Sequence, residues 1–489
     1  MRKTTKKAPL NKLWYLLPVV AVVLSVVLAC LNLRTAVWYD EANSAYLIRG
    51  DFSDIWRMTA IDVHPPVYYF CLKVWSLIFG STDFALRSMS VFFAAIGVIL
   101  AYFWLKRSFG VKEAGIASLA LALSPLLLRY SQEMRMYGLV FAIVMGATLV
   151  LDIALKSKNK LAWLAYALLI CLGMWTHYFT ALAWLTHLVL IACYFKKHGL
   201  QKAVFWVYPL AVVLFLPWLS YFWQQSHSIQ QGFWIDPVDA TTPMRLFTET
   251  LIFRDPVETE SWLLVLLLAS LMTIGVLFVN VWRKTKKEDR RKLGALLIMT
   301  FLPPVLLMLL SMEPMQSTYM TRYVVYGATL MWPAITIIIY WAWAQKKRII
   351  CGIAAGLMVV CAVVGIVAVD TRNTPGDNEA KEMMTQIIER GEEPVFIYVG
   401  SQHYYDLIFY ETDENPVTAI DVNFEWGSLE PIREYVDNYV EDLSVIMWDN
   451  DEFWLITENE NNYQFDNYEL GDKIENSMFV AQEYRRAAE

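Results

Sequence analysis

The chain has 489 residues, 57% of them hydrophobic and 18% charged, with a mean hydropathy of +0.38 and a formal net charge of −6. A soluble protein of this size carries about 25% charged residues, so composition excludes an ordinary soluble enzyme. The charge is divided: from Asp370 onward there are 29 Asp and Glu against 7 Lys and Arg, a net of −22, which leaves the first 369 residues at +16. A strongly acidic tail on a basic body implies two domains of different chemistry and argues against nucleic acid as the tail's partner.

Apolar runs of about 20 residues, each long enough to cross the hydrocarbon of a bilayer, recur along the body. They fall near 14–31, 86–105, 113–129, 137–155, 161–177, 179–195, 203–222, 261–281, 293–311, 323–343 and 349–369. The pattern predicts a polytopic α-helical membrane protein with about eleven transmembrane helices and a small extracytoplasmic C-terminal α/β domain. The stretch 67–79 is apolar but short and reads as a partial or interfacial helix. The N-terminus, MRKTTKKAPLNK, resembles a signal n-region, but no A-x-A site follows, so the first span is expected to stay uncleaved. All six cysteines lie in or beside apolar runs without metal-ligand spacing and read as small core residues.

Basic clusters occur at the N-terminus, at Lys106–Arg107, at Lys156, Lys158 and Lys160, at Lys196–Lys197, at 283–292 and at Lys346–Lys347–Arg348. With eleven spans every cluster falls on one side, which the positive-inside rule makes cytoplasmic. The N-terminus is then cytoplasmic in a plasma-membrane protein. The outer side receives 32–85, the turn near 130–136, the 223–260 loop, 312–322 and the tail. The expected division is a membrane domain over 1–369, with 32–85 as its outer catalytic loop, and an acidic α/β domain over 370–489. In the tail, β-type runs at 395–399, 417–422, 444–449 and 453–457 alternate with helical candidates, one at about 379–390 stopping at Gly391.

The candidate chemistry sits on the outer segments. Ionisable groups packed against the end of a membrane span are costly, so they mark a functional site by default. Asp40–Glu41 follows the first span; such a pair supplies a general base for an attacking hydroxyl and a neighbour that orients it or contacts sugar, although a solvated loop also accounts for two outer carboxylates. Asp62-Val63-His64-Pro65-Pro66 precedes the 67–79 helix, its prolines fixing the path of the chain. His64 can orient a phosphate or hydroxyl, and Asp62 and His64 are the candidate ligands should a divalent cation bind; no other cofactor is implied. Arg135, beside Tyr137 in the 130–136 turn, needs an anion, for which a lipid phosphate or a salt bridge to Glu133 or Asp40–Glu41 would serve. Arg322, in Thr321-Arg322-Tyr323, is a second outer cation, which could instead snorkel to the headgroups. Asp62, His177, Trp223 and Trp234 are further sugar or acceptor candidates, and Arg254–Asp255 reads as a local pair.

Taken in order, the basic N-terminus, YDEA after the first span, DVHPPVYY, SPLLLRYSQEMRMYGL and TRY before a late span resemble the GT-C glycosyltransferase superfamily. The resemblance is to the family 39 branch, related to protein O-mannosyltransferases and lipid A aminoarabinose transferases. It covers roughly 1–370, and the tail loosely. It implies a polyprenyl-phosphate-linked sugar as donor, an acceptor glycan, lipid or protein on the outer face, and transfer of a hexosyl or pentosyl group with inversion. It further implies Asp40 as base with Glu41 as partner, and Arg135 and Arg322 on the departing lipid phosphate with His64 and Tyr137 nearby. Some relatives bind a divalent ion through an outer-loop acid and a later histidine, and no later partner for Asp62 and His64 is evident here. The rivals are a flippase for lipid-linked sugars, which would show mid-span charges, broken helices or repeat symmetry, and a non-catalytic membrane scaffold with a binding tail.

Overall fold

The computed structural model describes residues 13–31, 33–157, 159–198, 202–370, 377–390, 395–399, 404–411, 417–420, 439–440, 450–458 and 463–487. In chain order the helices are α1 (Leu13–Cys30), α2 (Tyr39–Leu47), α3 (Phe52–Ile61), α4 (Val67–Phe79), α5 (Asp83–Phe109), α6 (Val111–Ala122), α7 (Pro125–Ser131), α8 (Tyr137–Ser157), α9 (Lys160–Thr176) and α10 (Thr180–His198). They continue with α11 (Val204–Phe215), α12 (Leu219–Gln231), α13 (Thr242–Leu251), α14 (Ser261–Lys284), α15 (Lys287–Leu310), α16 (Val325–Ala328), α17 (Met331–Ala344), α18 (Arg348–Asp370), α19 (Asp377–Ile388) and α20 (Tyr404–Ile408). The strands are β1 (Val395–Val399), β2 (Val417–Ile420), β3 (Tyr439–Val440), β4 (Glu452–Glu458), β5 (Tyr468–Glu475) and β6 (Phe479–Arg486).

The chain packs as two compact units. One comprises 1–33, 62–68 and 87–371; the other comprises 34–61, 69–86 and 372–489. Segments 34–61 and 69–86 thus belong with the acidic tail in a single unit.

Among the described residues of the whole chain, seven helical stretches are long and apolar enough to cross a membrane: Asp83–Phe109, Tyr137–Ser157, Val204–Gln230, Ser261–Lys284, Lys287–Leu310, Thr321–Ala344 and Arg348–Val369. An eighth is the pair α6–α7, bent by 60°. The other three expected spans are shorter apolar helices, Trp14–Cys30, Lys160–Thr176 and Thr180–Tyr194, so length and apolarity alone do not establish a count of eleven. The bend has a local cause. Pro125 cannot continue the preceding helix, and Ser124 restarts it by accepting the Leu127 N–H on its Oγ at 3.5 Å. Just beyond α7, Gln132 Nε2 donates to the carbonyls of Leu28 (3.4 Å) and Ala29 (3.2 Å), tying this corner to the end of α1. Gly138 opens α8 where a Cβ would stand 2.5 Å from the carbonyl oxygen of Ser90, so only glycine lets α8 approach α5 this closely. The buried His187 is satisfied on both sides, by Thr148 Oγ1 and Tyr166 Oη at 3.0 Å each, and reads as a packed core residue.

In the second unit, 38–61 is not an irregular loop. It forms α2 and α3, and 67–79 forms α4 as its apolar pattern predicts. Asp51 starts α3: its Oδ1 accepts the N–H groups of Ser53 (2.7 Å) and Asp54 (2.9 Å), a side-chain cap of the helix's first free donors. The tail is a six-stranded sheet in the order β3-β2-β1-β4-β6-β5. β1 to β4 pair in parallel, while β6 runs antiparallel to β4 and β5. The parallel β1–β2 pair needs a crossover, which α20 supplies. Ile397, Phe453, Leu455 and Tyr484 form its core, and the Phe453 and Tyr484 rings stack at 5.2 Å. The expected strands at 395–399 and 453–457 are present, and the expected helix at 379–390 is α19. The run 444–449 and Gly391 lie outside the described residues.

Candidate functional site

The acidic pair occupies the first turn of α2, in the second unit. The chain runs extended into Trp38, whose carbonyl accepts the N–H groups of Glu41 (2.8 Å) and Ala42 (3.0 Å). Carboxylates are favoured there because a helix N-terminus carries a partial positive charge. Glu41 is 1% exposed and Asp40 is half-buried, so the pair does not stand as two solvated surface charges.

The basic and aromatic candidates gather in the first unit. Asp62 Oδ2 lies 3.2 Å from His64 Nδ1, and His64 Nε2 lies 3.3 Å from Arg135 Nη2. A guanidinium can only donate, so Nε2 accepts from Arg135 and the imidazole proton on Nδ1 is given to Asp62. Burial pushes the Asp62 carboxyl up, but the hydrogen bond from His64, the Val63 N–H and the charge of Arg135 outweigh it, and the group is held below its ordinary range. The guanidinium of Arg135 is thus held against His64 by a relay of three side chains, and Ser90 Oγ donates to the Arg135 carbonyl at 3.2 Å. Glu133, in the same turn, pairs with Arg129 at 2.5 Å. Asp255 likewise pairs with Arg245, at 3.2 Å, in place of its neighbour Arg254.

His177, 3% exposed in the turn between α9 and α10, is the hub of this cluster. Its ring centroid lies 6.1 Å from His64, 6.1 Å from Tyr137, 5.7 Å from Phe179 and 5.2 Å from Tyr323. It lies within electrostatic reach of His64, Arg135 and Arg322. Its Nδ1 is buried and has no hydrogen-bond partner among the described residues. Arg322 sits in a short 3₁₀ turn, Thr321–Val324, only 7% exposed. Its guanidinium carbon lies 5.8 Å from the Trp234 ring centroid and 5.7 Å from that of Tyr323, a cation–π geometry. Arg322 therefore does not snorkel into solvent. Trp234, itself 59% exposed, meets the cluster through Arg322, whereas Trp223 is 73% exposed on α12.

The sequence reading missed Glu249. It is half-buried on α13, a short helix in the 223–260 segment, and accepts a hydrogen bond from the Thr321 side chain. Burial pushes its carboxyl up to about 7, against the lowering effects of Thr321, Arg245 and Arg322, while Asp255 adds to the rise. The signal for α13 was present: Asp239 accepts the N–H groups of Thr241 (2.9 Å) and Thr242 (3.0 Å), a start cap, and Pro243 follows. Tyr323 and Tyr130 were also passed over, although both lie in the segments quoted. Tyr130 packs on Tyr137 with ring centroids 5.0 Å apart.

Among the described residues no three His, Cys, Asp or Glu side chains are placed to hold a metal ion. Asp62 and His64, the candidate pair, are engaged with each other and with a cationic guanidinium, a poor setting for a second cation.

Residues 63–221 match the family model described as dolichyl-phosphate-mannose-protein mannosyltransferase. Among solved structures, ArnT from Cupriavidus metallidurans bound to undecaprenyl phosphate matches with a TM-score of 0.59 at 13% identity, covering 97% of this chain and 98% of that one. The same enzyme in its apo state gives 0.61 at 14% identity, over 96% and 97% of the two chains. The Archaeoglobus fulgidus oligosaccharyltransferase tethered to an acceptor peptide gives 0.52 at 10% identity, over 83% of this chain and 64% of that one. No curated protein matches by sequence. The chain thus shares its overall fold with ArnT and the archaeal oligosaccharyltransferase, and within it residues 63–221 resemble the mannosyltransferase family model.

Proposed function

We propose that the chain transfers a sugar from a polyprenyl-phosphate-linked donor to a hydroxyl acceptor on the outer face of the membrane, with inversion. The observation that carries this reading is the pair of buried guanidiniums, Arg135 and Arg322, both within electrostatic reach of His177. Two preorganised cations in a low-dielectric, aromatic-walled setting are suited to a phosphate, and guanidiniums bind its oxygens through paired hydrogen bonds. The undecaprenyl phosphate bound to ArnT is a ligand of that class.

In the proposed reaction Asp40 takes the proton of the acceptor hydroxyl, with Glu41 as its neighbour. The acceptor oxygen bonds to the anomeric carbon from the face opposite the phosphate, and the bond from that carbon to the phosphate oxygen breaks. The departing polyprenyl phosphate gains negative charge, which Arg135 and Arg322 stabilise; fixed charges aimed at a developing anion act most strongly where water is excluded. Asp62 and His64 hold Arg135 in place, and Tyr137, His177 and Trp234 offer hydrogen-bonding and stacking surface to the donor. Trp223 is left as an acceptor contact.

A transporter reading could claim the bend between α6 and α7. That bend is accounted for by Pro125, and a transporter has no use for a base at Asp40. Mass spectrometry of lipid extracts from cells lacking the protein separates the two readings. A transferase leaves its lipid-linked sugar donor unused, so the donor accumulates alongside an under-glycosylated product. An unchanged lipid-linked sugar pool would overturn the proposal.

A further inference from the structure

The acidic helix α2 is gripped at both ends by one short piece of the tail, 408–411, within the same compact unit. Two residues before α2, the buried Val37 N–H donates to Tyr410 Oη at 2.9 Å. Two residues after it, Arg49 Nη2 donates to the carbonyl oxygen of Ile408 at 2.7 Å, and Arg49 Nη1 pairs with Glu411 Oε1. These links join residues 359 to 373 positions apart in sequence. The tail side is itself anchored. The other oxygen of Glu411 accepts the Val417 N–H at 2.9 Å where β2 begins, and Lys381 of α19 lies 6.0 Å from the Tyr410 ring centroid. Lys73 of α4 adds a third hold, donating to the carbonyl of Ile48 at 2.8 Å where α2 ends.

We infer that Tyr410, Arg49 and Glu411 are positioning residues, which make the acidic tail a clamp that fixes the orientation of α2 and hence of Asp40 and Glu41. No single link is energetically large, since water screens an exposed ion pair. What matters is their placement. A nine-residue helix held only by its own turns is not stable in isolation, whereas one tied at both ends to a sheet-anchored segment keeps its first turn in register. A general base must be placed to within a fraction of an ångström, and a misplacement of about 1 Å can cost on the order of 100-fold in rate. The clamp gives the tail a role in turnover in place of that of a passive appendage.

The inference rests on Asp40 being the base, so its test has one arm that does not depend on that. Full-length protein in detergent is compared with Arg49→Met, Tyr410→Phe, Glu411→Gln and the Arg49→Met/Glu411→Gln double variant. Hydrogen exchange at the amides of 37–47 is expected to speed up roughly tenfold or more in Arg49→Met, and the double variant should exchange no faster than that single one, because the Arg49–Glu411 link is already lost in Arg49→Met and the glutamine keeps an oxygen for the Val417 N–H. If sugar transfer is established, kcat should fall about tenfold in these variants, while KM for the lipid-linked donor stays within about twofold. Unchanged exchange in all variants would overturn the clamp whatever the activity. Faster exchange with unchanged kcat would overturn its role in positioning. Faster exchange in the variants of a protein whose wild type transfers no sugar would retain the clamp and refute the proposed reaction.

Discussion

Glu249 offers a test of the cluster's electrostatics that needs no substrate. Its carboxyl is held near 7 where an unburied one titrates at 4.5. For a carboxyl group raised in the folded state, stability is fullest below the unfolded value and is lost as pH rises toward the folded one, because the unfolded chain ionises first. At about 1.4 kcal/mol per pH unit, the loss between pH 4.5 and 7 is about 3 kcal/mol, and it is constant above that. Glutamine resembles the protonated acid, keeps an oxygen for the Thr321 hydroxyl and cannot ionise. Glu249→Gln is therefore expected to match wild type near pH 4.5 and to exceed it by up to about 3 kcal/mol at pH 8. Denaturant unfolding of the purified protein in detergent at the two pH values measures the difference. An offset between variant and wild type that is the same at both pH values, or a variant less stable at pH 8, would refute the claim that burial dominates at Glu249.

Two further outcomes follow from the same geometry. Gly138→Ala places a methyl group 2.5 Å from the Ser90 carbonyl oxygen, so α5 and α8 must part; overpacking of this kind costs about 1–3 kcal/mol, read as a lowered unfolding midpoint, and an unchanged midpoint would show the approach to be loose. Arg135→Met and Arg322→Met should each weaken binding of polyprenyl phosphate by roughly 10- to 100-fold, as expected when a charge-assisted hydrogen bond worth about 1.5–3 kcal/mol is removed; Arg135→Lys should recover only part, because a point charge cannot form the paired hydrogen bonds. Unaltered affinity in both would move the phosphate site elsewhere.

What could be read from the residues was whatever a short stretch encodes by itself. The apolar run 67–79 became α4, VFIYV and FWLIT became strands, and Pro65–Pro66 directly precedes a helix, where proline's fixed backbone fits. The helices α2 and α3 were missed because the polar residues there suggested a loop, although Asp51 with Asp54 formed a start signal. β5 was missed because most of its side chains face solvent and it lacks an apolar face that alternation could reveal. The candidate site residues could be picked out by type. Their links were not, since His64 meets Arg135 across 71 residues and Val37 meets Tyr410 across 373. Glu249 was unreadable for a related reason: its chemistry comes from being covered by a turn near residue 321, and nothing in TPMRLFTETL distinguishes that glutamate from a solvated one.

The central claim is that Asp40 acts as base toward a donor whose leaving group is a lipid phosphate. The most direct measurement places purified protein in vesicles with a polyprenyl-phosphate-linked sugar and a hydroxyl acceptor, and follows release of free polyprenyl phosphate from wild type and from Asp40→Asn. The account predicts release by wild type, a fall on the order of 100- to 10,000-fold in the variant, and polyprenyl phosphate binding retained in both. Release by Asp40→Asn at the wild-type rate would contradict it.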